Sequence, residues 1–243
     1  MNCCAVVPTY NHHQQLSAVC QQLIAFNLAV ILIDDGSNDE TAQVIDELAR
    51  TADISLIRHN HNLGKGAAVI NGFKMALQSG FTHALQVDAD GQHNLADIPA
   101  LLDLAKRHPD KIVSGLPVYD DSIPIGRKYG RYITHFWVWI ETLSLSVKDT
   151  MCGFRIYPLK PCIALTEQYN IGARMDFDIE IMVRLYWRGV ESIFLPTRVI
   201  YPQQGLSHFQ PLQDNLRISW LHTRLFFGML MRLPILLSRK FKQ

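Results

Sequence analysis

Residues 30–41 read VILIDDGSNDET: four apolar residues, two aspartates, and then a glycine followed by polar residues. The apolar run predicts a buried strand, because Val and Ile favour extended backbone. The polar residues after it are typical of a helix start, which Ser37 or Asp39 would cap. Apolar spacing over residues 40–50 predicts that helix. The segment is therefore one strand-to-helix unit of an α/β fold.

The same unit recurs through the first half of the chain. Predicted strands are Cys3–Val7, Val30–Ile33, Ile54–Ile57, Ala84–Val87 and Ile112–Val113, and predicted helices lie around residues 14–26, 40–50, 66–79 and 95–107. Strands that alternate with helices imply right-handed crossovers and a mainly parallel, Rossmann-like sheet with helices on both faces. Ligands bind such sheets at the carboxyl ends of the strands. The residues that follow each strand are therefore the candidates for chemistry.

The second half of the chain is predicted to be less regular. Three more helical segments are predicted, over residues 127–147, 176–188 and 212–238, the last of them broken near Pro234. The sequence shows no internal repeat and no Pro- or Ser-rich linker. We therefore expect one α/β domain over residues 1–210 and an amphipathic helical segment over residues 211–243.

Composition excludes several classes of protein. Of the 243 residues, 48% are hydrophobic and 19% are charged, which is typical of a folded globular chain. The formal net charge of +1 provides no basic field of the kind that nucleic-acid binding requires, so no nucleic-acid partner is expected. The charge is unevenly distributed, because residues 211–243 carry +5 and residues 1–210 carry −4.

The cysteines and the apolar stretches favour a reducing compartment. Five cysteines without a Cys-x-x-Cys pair predict neither a disulfide framework nor a zinc cluster. Residues 1–8 lack the basic region and long apolar stretch of a secretory signal. Arg224 and Arg232 bound the apolar run Leu225–Met231, which is much shorter than the roughly 18 residues that span a bilayer. We expect a cytoplasmic protein.

Asp88 and Asp90 are the strongest candidates for chemistry. They follow a predicted buried strand and are separated by one small residue, so both carboxylates can point toward the same side. Such a pair supplies hard oxygen ligands to a divalent cation that also binds substrate phosphates. The alternative is an ordinary helix-capping cluster on a surface loop.

Two further polar turns would share that edge of the sheet. Asp35 is placed to accept hydrogen bonds from a nucleobase or a ribose hydroxyl. Lys65, between Gly64 and Gly66 at a predicted helix start, lies where helices bind anions. A simple glycine-rich turn is the alternative for this second segment, which matches neither a dinucleotide fingerprint nor a Walker loop.

Five motifs occur in the order found in family-2 glycosyltransferases: Val7–Asn11, Asp34–Ser37, Asn62–Gly66, Asp88–Gln92 and Asp149–Arg155. Over most of its length the chain resembles this family, and especially the branch of dolichyl- and polyprenyl-phosphate sugar synthases. The resemblance implies a GT-A fold, a nucleotide-diphosphate sugar such as a UDP- or GDP-sugar, an Mg²⁺ or Mn²⁺ ion, and inversion at the anomeric carbon.

The resemblance also implies roles for individual residues. The nucleotide sugar would contact Pro8, Tyr10, Asp35, Lys65 and Asp88, and the metal ligands would be Asp88 and Asp90, with Gln92 as a further one. Among the acidic residues that enter a predicted helix, Asp178 ranks first as the catalytic base, followed by Asp176 and Glu180. An ordinary acidic first turn of a helix is the alternative for each of these three.

The acceptor decides whether a base is needed. A hydroxyl must lose its proton to a base within hydrogen-bonding reach, whereas a lipid phosphate is already ionised at neutral pH. For a lipid phosphate, Arg127, Arg131 and Arg155 would be more important, as a phosphate clamp. Cys152 replaces the Ser that this branch usually has before Gly-Phe-Arg, which affects the expected acceptor or sugar more than the reaction. The histidines of these loops show no zinc-type spacing and are expected to be solvated.

The C-terminal segment mixes apolar and basic residues. Apolar side chains such as Trp220 and Phe226 recur at roughly helical spacing, with arginines between them. A helix of this kind can lie in a membrane interface, so residues 217–240 predict peripheral contact with the cytoplasmic face of a membrane. The alternative is a terminal helix that packs on the protein's own core.

Together these patterns predict an inverting glycosyltransferase that moves a sugar from a nucleotide-diphosphate donor to a hydroxyl or lipid-phosphate acceptor. A phosphatase of the haloacid-dehalogenase type is an alternative, because a strand followed by Asp-x-Asp-Gly also opens that fold and its first Asp attacks phosphate. Against it, the motif lies far from the chain start, and Gln92 replaces the expected Thr or Val. A third alternative is a nucleotide-sugar-binding protein without catalysis.

Overall fold

The computed structural model describes residues 1–118, 125–199 and 210–240, with side chains for all of them except 125–128 and 240. Its strands are β1 (Cys3–Thr9), β2 (Val30–Asp34), β3 (Ile54–Arg58), β4 (His83–Gln86), β5 (Ile112–Val118), β6 (Arg155–Pro158) and β7 (Ser192–Arg198). Its helices are α1 (His13–Ala25), α2 (Asp39–Thr51), α3 (Lys65–Gln78), α4 (Ile98–Arg107), α5 (Ile125–Thr142), α6 (Leu159–Gln168), α7 (Phe177–Trp187) and α8 (Pro211–Lys240). A short 3₁₀ turn, Leu95–Asp97, precedes α4. All five predicted strands are present.

The described strands form one sheet in the order β3-β2-β1-β4-β6-β5-β7. β6 runs antiparallel to its neighbours β4 and β5, and every other pair is parallel. The mainly parallel sheet that the sequence predicts is therefore confirmed. β6 and β7 were not predicted: β6 has four residues and ends at Pro158, and β7 carries Pro196. β7 is an edge strand, where the missing N–H of a proline is tolerated.

Helices cover both faces of the sheet, and each face has its own apolar core. Successive side chains of a strand point to opposite faces. In β2, Ile31 and Ile33 belong to the core that includes side chains of α3, α5, α6, α7 and α8, whereas Val30 and Leu32 belong to the core that includes side chains of α1, α2 and α4. The sheet is buried between two layers of helices, so the carboxyl ends of its strands are the place where polar side chains can gather.

The first two loops at this edge are tied to each other. The side chain of Asn38, rather than that of Ser37 or Asp39, caps α2 by accepting a hydrogen bond from the backbone N–H of Thr41 at 3.0 Å. Ser37 Oγ instead accepts from the backbone N–H of Asn11 at 3.1 Å, and the backbone N–H of Asn38 donates to Asn11 Oδ1 at 2.8 Å. The prediction for the cap is corrected by one residue.

α8 is unbroken, which corrects the break predicted near Pro234. A proline inside a helix lacks the N–H of its hydrogen bond and costs about 3 kcal/mol. Met229 and Leu236 are buried on either side of Pro234, and their packing on the core offsets that cost. Among the helices that the structure describes, none combines the length and the apolarity needed to cross a bilayer.

Candidate active site

A cavity of about 1670 Å³ opens at the carboxyl edge of the sheet and continues between α5 and α8. The predicted site residues that line it are Pro8, Tyr10, Asp35, Lys65, Asp88, Asp90, Gln92 and Arg131. The other described candidates, Asp176, Asp178, Glu180 and Arg155, are not among its lining residues. The structure thus brings together every residue predicted to bind the donor or the metal, with one of the arginines predicted for the acceptor.

Asp88 follows β4 and is held from two sides. The Lys65 ammonium lies 2.9 Å from each of its carboxylate oxygens. On the other side the backbone of Gly153 packs so closely that a Cβ there would lie 2.4 Å from Asp88 Oδ2. Burial alone would raise the pKa of Asp88, but Lys65 and His93 outweigh burial and hold that pKa well below its usual range. Asp88 is therefore a carboxylate at neutral pH.

Asp88 and Asp90 suit a divalent cation that a substrate completes. Asp90 lies two residues further on, and its Oδ1 accepts a hydrogen bond from the backbone N–H of Gln92 at 3.0 Å. Within the described residues, no three His, Cys, Asp or Glu side chains converge to form a metal cage made by the protein alone. Mg²⁺ is commonly bound by one or two carboxylates together with substrate phosphates. The residues present fit that mode of binding.

Lys65 joins Asp88 to the first turn of α7. Its Nζ lies 3.0 Å from Asp178 Oδ2 as well as 2.9 Å from Asp88. Burial would lower the pKa of Lys65, but Asp178 and Asp88 outweigh it and raise that pKa, so the ammonium stays charged. Asp178 is 5% exposed and also accepts a hydrogen bond from Gln86 Nε2 at 3.2 Å. Of the three predicted bases, Asp178 is the one in contact with this ion pair.

Asp35 lines the cavity and also holds the loop that carries Lys65. Its carboxylate accepts hydrogen bonds from the backbone N–H groups of Leu63 and Gly64, both at 2.8 Å. His59 Nδ1 lies 2.7 Å from Asp35 Oδ1, and His59 Nε2 lies 3.0 Å from Asn71 Nδ2. This buried chain of contacts orients Asp35 and fixes the loop after β3.

The glycine-rich loop before α3 is packed against the segment before α7. The backbone N–H groups of Gly66 and Ala67 donate to the Ala173 carbonyl at 2.9 and 3.3 Å. Gly64 has a φ of +102°, and a Cβ there would lie 2.3 Å from the same carbonyl oxygen. These two N–H groups are already bonded within the protein, so the loop acts as a close-packed turn, while the Lys65 side chain still reaches the cavity.

Asp176 and Glu180 are engaged elsewhere. Glu180 is fully buried and accepts hydrogen bonds from the backbone N–H of Gly172 at 2.8 Å and from Arg184 Nε at 2.7 Å. Asp176 Oδ1 accepts from the backbone N–H of Arg174 at 3.1 Å. Both carboxylates stabilise the turn that leads into α7. Each therefore has a structural role, which the sequence left open as an alternative to catalysis.

Arg131, on α5, reaches the cavity from a fixed position. Its guanidinium pairs with Asp149, whose other oxygen accepts hydrogen bonds from the backbone N–H groups of Met151 and Cys152 at 2.8 and 2.7 Å. Burial would raise the pKa of Asp149, but His135 and Arg131 outweigh burial and hold it well below the usual range. Asp149 therefore connects α5 to the loop that packs on Asp88, a role the sequence motif did not reveal.

Arg155 lies beneath the site and not in it. It is fully buried and donates to Ser114 Oγ and Tyr157 Oη at 3.1 Å and to the Asp178 carbonyl at 3.2 Å. Its position at the start of β6 points it into the protein, so in this structure it supports Asp178. The side chain of Arg127 lies outside the described part of the chain.

Two histidines differ from the prediction that all were solvated loop residues. His59 is 9% exposed and bonded to Asp35. The His93 side chain, also 9% exposed, stacks on Phe154 with ring centroids 5.2 Å apart and places Nε2 3.7 Å from Asp88 Oδ2. Spacing typical of zinc ligands could not reveal these two histidines, because each of them contacts a carboxylate instead.

Burial raises the pKa of Cys152 to about 12, so this residue is a thiol at neutral pH.

The far end of the cavity lies between α5 and α8 and has a mixed lining. Apolar side chains such as Ile133, Trp137, Ile218 and Phe226 line it together with polar ones such as Gln213, Asn215, Arg217 and Thr223. The same two helices expose large apolar side chains: Tyr129, Tyr132, Ile133, Phe136 and Trp137 on α5, and Leu212, Leu216, Trp220, Phe227, Leu230, Met231, Ile235 and Leu237 on α8. We call this set the α5–α8 apolar face. Exposed apolar side chains gathered on two adjoining helices are typical of an interaction site on a protein surface.

Several arginines of α8 bond to the protein itself. Arg224 Nη2 lies 3.3 Å from Glu180 Oε2, Arg232 donates to the Gly228 carbonyl at 2.9 Å, and Arg239 donates to the carbonyls of Tyr186 and Trp187 at 3.0 and 2.9 Å. Arg224 and Arg239 thus connect α8 to α7, whereas Arg232 bonds to the preceding turn of α8. The α5–α8 apolar face therefore consists mainly of aromatic and aliphatic side chains.

Comparison with known sequences identifies the family. The sequence profile of glycosyl transferase family 2 matches residues 4–158, which include β1 to β6 and the Asp88–Asp90 loop. The chain belongs to glycosyl transferase family 2.

Curated relatives confirm the resemblance to the dolichyl- and polyprenyl-phosphate branch. A dolichyl-phosphate beta-glucosyltransferase of Trichomonas vaginalis is 30% identical, over 73% of this chain and 59% of its own length. The match thus spans less than two thirds of that enzyme. A UDP-N-acetylglucosamine–dolichyl-phosphate N-acetylglucosaminyltransferase of Methanococcus voltae is 26% identical, over 88% of this chain and 92% of its own.

Solved structures confirm the predicted GT-A fold. Glucosyl-3-phosphoglycerate synthase of Mycobacterium tuberculosis, solved with Mn²⁺ and UDP-glucose, has a TM-score of 0.68 at 12% identity, over 94% of this chain and 78% of that one. TarS of S. aureus (residues 1–349), solved with UDP-GlcNAc, has a TM-score of 0.61 at 15% identity, over 93% and 66%. At these identities the likeness is one of fold.

Proposed function

We propose that this protein is an inverting glycosyltransferase that moves a sugar from a nucleotide-diphosphate donor to a lipid-phosphate or hydroxyl acceptor at the cytoplasmic face of a membrane. The observation that carries the proposal is one cavity that extends from Asp88 and Asp90 to the partly apolar groove between α5 and α8. The charged end suits a nucleotide diphosphate, and the groove offers polar groups that suit a phosphate together with apolar side chains that suit a lipid. The names of the relatives from T. vaginalis and M. voltae support a lipid-phosphate acceptor.

At the donor end, we assign the nucleoside to Pro8, Tyr10 and Asp35, and the diphosphate to Lys65 and the metal site. Asp88 and Asp90, with Gln92, would hold Mg²⁺ or Mn²⁺, which when bound neutralises the charge of the departing diphosphate. Gly153 and Lys65 fix the Asp88 carboxylate before the donor arrives. The Mn²⁺ and UDP-glucose in the M. tuberculosis structure support this kind of donor and ion.

The acceptor oxygen attacks the anomeric carbon opposite the diphosphate, which inverts its configuration. For a hydroxyl acceptor Asp178 is our preferred base, but its Oδ2 is occupied by Lys65 at 3.0 Å and would have to be released first. Asp176 and Glu180 rank lower because both already accept hydrogen bonds from their own loop. A lipid phosphate needs no base, and the arrangement favours it as the acceptor.

Arg131 is our candidate for the acceptor phosphate. It lies on α5, lines the cavity, and is held in place by Asp149. Arg127 precedes it by four residues on α5 and remains a candidate from the sequence alone, because its side chain lies outside the described part of the chain. We propose that both contact the phosphate and that Arg155 acts indirectly, by supporting Asp178.

The membrane contact is proposed for residues 217–240, and α5 extends it. The α5–α8 apolar face has aromatic side chains on both helices, which suits the interface between lipid headgroups and acyl chains. The groove opens between these helices, so a lipid that lies in the membrane could reach the cavity without leaving it.

Asp90→Ala tests the proposal. We expect sugar transfer to polyprenyl phosphate, and hydrolysis of the nucleotide sugar, to fall by about two to three orders of magnitude, the usual cost of removing one contact to developing charge. Asp103→Ala is the matched control, because Asp103 lies on α4 with a 64% exposed side chain. Undiminished transfer by Asp90→Ala would exclude the proposed metal role. Release of phosphate from a generic phosphoester by the wild-type protein would favour the phosphatase alternative.

A further inference from the structure

We propose that Lys65 is an internal counter-ion that occupies the metal-binding carboxylate while the donor is absent and gives it up when metal and nucleotide sugar bind together. The inference rests on the proposed function for the identity of the donor. It adds that metal binding depends on the donor. The metal alone binds weakly, because Lys65 already neutralises the Asp88 carboxylate that would hold it.

The geometry places one cation between two carboxylates from different elements. Lys65 Nζ lies 2.9 Å from both oxygens of Asp88 and 3.0 Å from Asp178 Oδ2. The Lys65 side chain is 19% exposed, that of Asp88 is 24% exposed and that of Asp178 is 7% exposed. All three groups are therefore shielded from water, where an ion pair is stronger than at the surface.

The backbone around Lys65 is fixed, whereas its side chain reaches the cavity and is held there by the two carboxylates. Gly64 and Gly66 flank it and pack on Ala173, and Asp35 accepts hydrogen bonds from the loop just before it. A lysine carries a single point charge on a flexible four-carbon chain. The ammonium can thus leave Asp88 without any movement of the loop, and it remains within a side chain's length of the cavity.

Electrostatics set the competition. A divalent ion at Asp88 and Asp90 would lie close to a buried ammonium, and two like charges at such distances repel strongly in a shielded site. A nucleotide diphosphate brings negative charge that both cations can share, since lysine is a common phosphate ligand. Metal and donor should therefore bind cooperatively, each removing an obstacle to the other.

Neutral and charged substitutions of Lys65 separate this role from a merely structural ion pair. We expect Lys65→Met to bind Mn²⁺ without nucleotide about tenfold or more tightly than wild type, because the competing charge is gone. Lys65→Arg keeps the charge and should bind Mn²⁺ no more tightly than wild type. Free Mn²⁺ can be measured by electron paramagnetic resonance. Unchanged or weaker Mn²⁺ binding by Lys65→Met would overturn the inference.

A second measurement concerns the coupling between metal and nucleotide. With UDP and GDP as probes, we expect Mn²⁺ to improve nucleotide binding by a smaller factor in Lys65→Met than in wild type. If Lys65→Met fails to fold, Lys65→Gln carries the test, because its side chain is neutral and its amide can donate hydrogen bonds. A coupling factor equal to that of wild type in the folded neutral variant would contradict the proposal.

These readouts are independent of sugar transfer. If no donor and acceptor pair is turned over but the neutral variants bind Mn²⁺ more tightly, the proposed function fails and the counter-ion role stands. If sugar is transferred and Mn²⁺ binding does not change, the counter-ion role fails alone.

Discussion

The two ends of the cavity are built in different ways. At the donor end, the segments after β2, β3 and β4 present charged groups, of which Lys65 and Asp88 are bonded to each other. At the other end, two long helices present apolar side chains, and much of their surface is exposed. Function at the first end depends on the positions of single atoms. At the second end it depends on the area of exposed apolar surface. Substitutions at the two ends should therefore differ in kind as well as in size.

Gly153→Ala should have the largest effect of the following changes, at the donor end. The added Cβ would lie 2.4 Å from Asp88 Oδ2, so Asp88 must move. A displacement of about 1 Å at a reacting site can cost about 10²-fold in rate, and we expect a loss of that order in sugar transfer with little change in membrane binding.

Gly130→Ala is the matched control, because no residue that the structure describes lies within 4 Å of a Cβ at that position on α5. Equal rates for the two alanine variants would show that the contact between Gly153 and Asp88 does not position the carboxylate. The comparison between the two ends would then lose its main support.

Asp149→Asn tests the connection between the two ends. It removes the charge that pairs with Arg131, and we expect the free energy of unfolding to fall by about 1–3 kcal/mol at neutral pH. Burial would raise the pKa of Asp149, but His135 and Arg131 lower it further than burial raises it. The folded pKa is thus below the unfolded value of about 3.9, so the stabilisation is complete above that pH and is lost as the pH falls below it.

Denaturant titrations of both proteins between neutral and acidic pH measure this difference. The gap in unfolding free energy should close only in acid. A gap that stays constant down to the lowest pH at which both proteins fold would mean that the carboxylate charge contributes nothing.

Phe136→Ser with Phe227→Ser should have the smallest effect on chemistry and a clear one on membrane binding. Each side chain is more than half exposed, one on α5 and the other on α8. Loss of two interfacial aromatic contacts should weaken partition onto phospholipid vesicles by about tenfold or more. Leu145→Ser is the control, since Leu145 is 72% exposed but belongs to neither helix.

Vesicle composition sharpens the same test. Because Arg224, Arg232 and Arg239 bond to the protein, we expect neutral vesicles to bind nearly as well as anionic ones. Binding that requires anionic lipid, or that survives the double substitution, would mean that the apolar face is not the contact.

The sequence indicated which residues lie together at the donor end, because that information is local. Each candidate carboxylate directly follows a strand, and parallel strands deliver such residues to one edge. Whether a residue at a strand start points into the cavity or the core is decided by tertiary packing, which is why Arg155 turned out to be buried. The supporting roles of His59 and His93 also depend on partners distant in sequence.

The other end could be predicted only in part. Aromatic residues at helical spacing marked α5, but nothing in its sequence indicates that α8, about 80 residues later, lies beside it. The continuity of α8 through Pro234 was missed for the same reason, since it depends on the burial of Leu236. The antiparallel β6 is too short for its pattern to be distinguished from a loop.

α8 carries core residues and exposed apolar residues on opposite sides of one helix. Leu221 and Leu225 are fully buried, whereas Trp220 and Phe227 are more than half exposed. The same backbone thus completes the fold and presents the apolar face. A version of the protein freed of that face cannot be made by shortening the chain, because the cut would open the core; it has to be made by replacing outward-facing side chains one at a time.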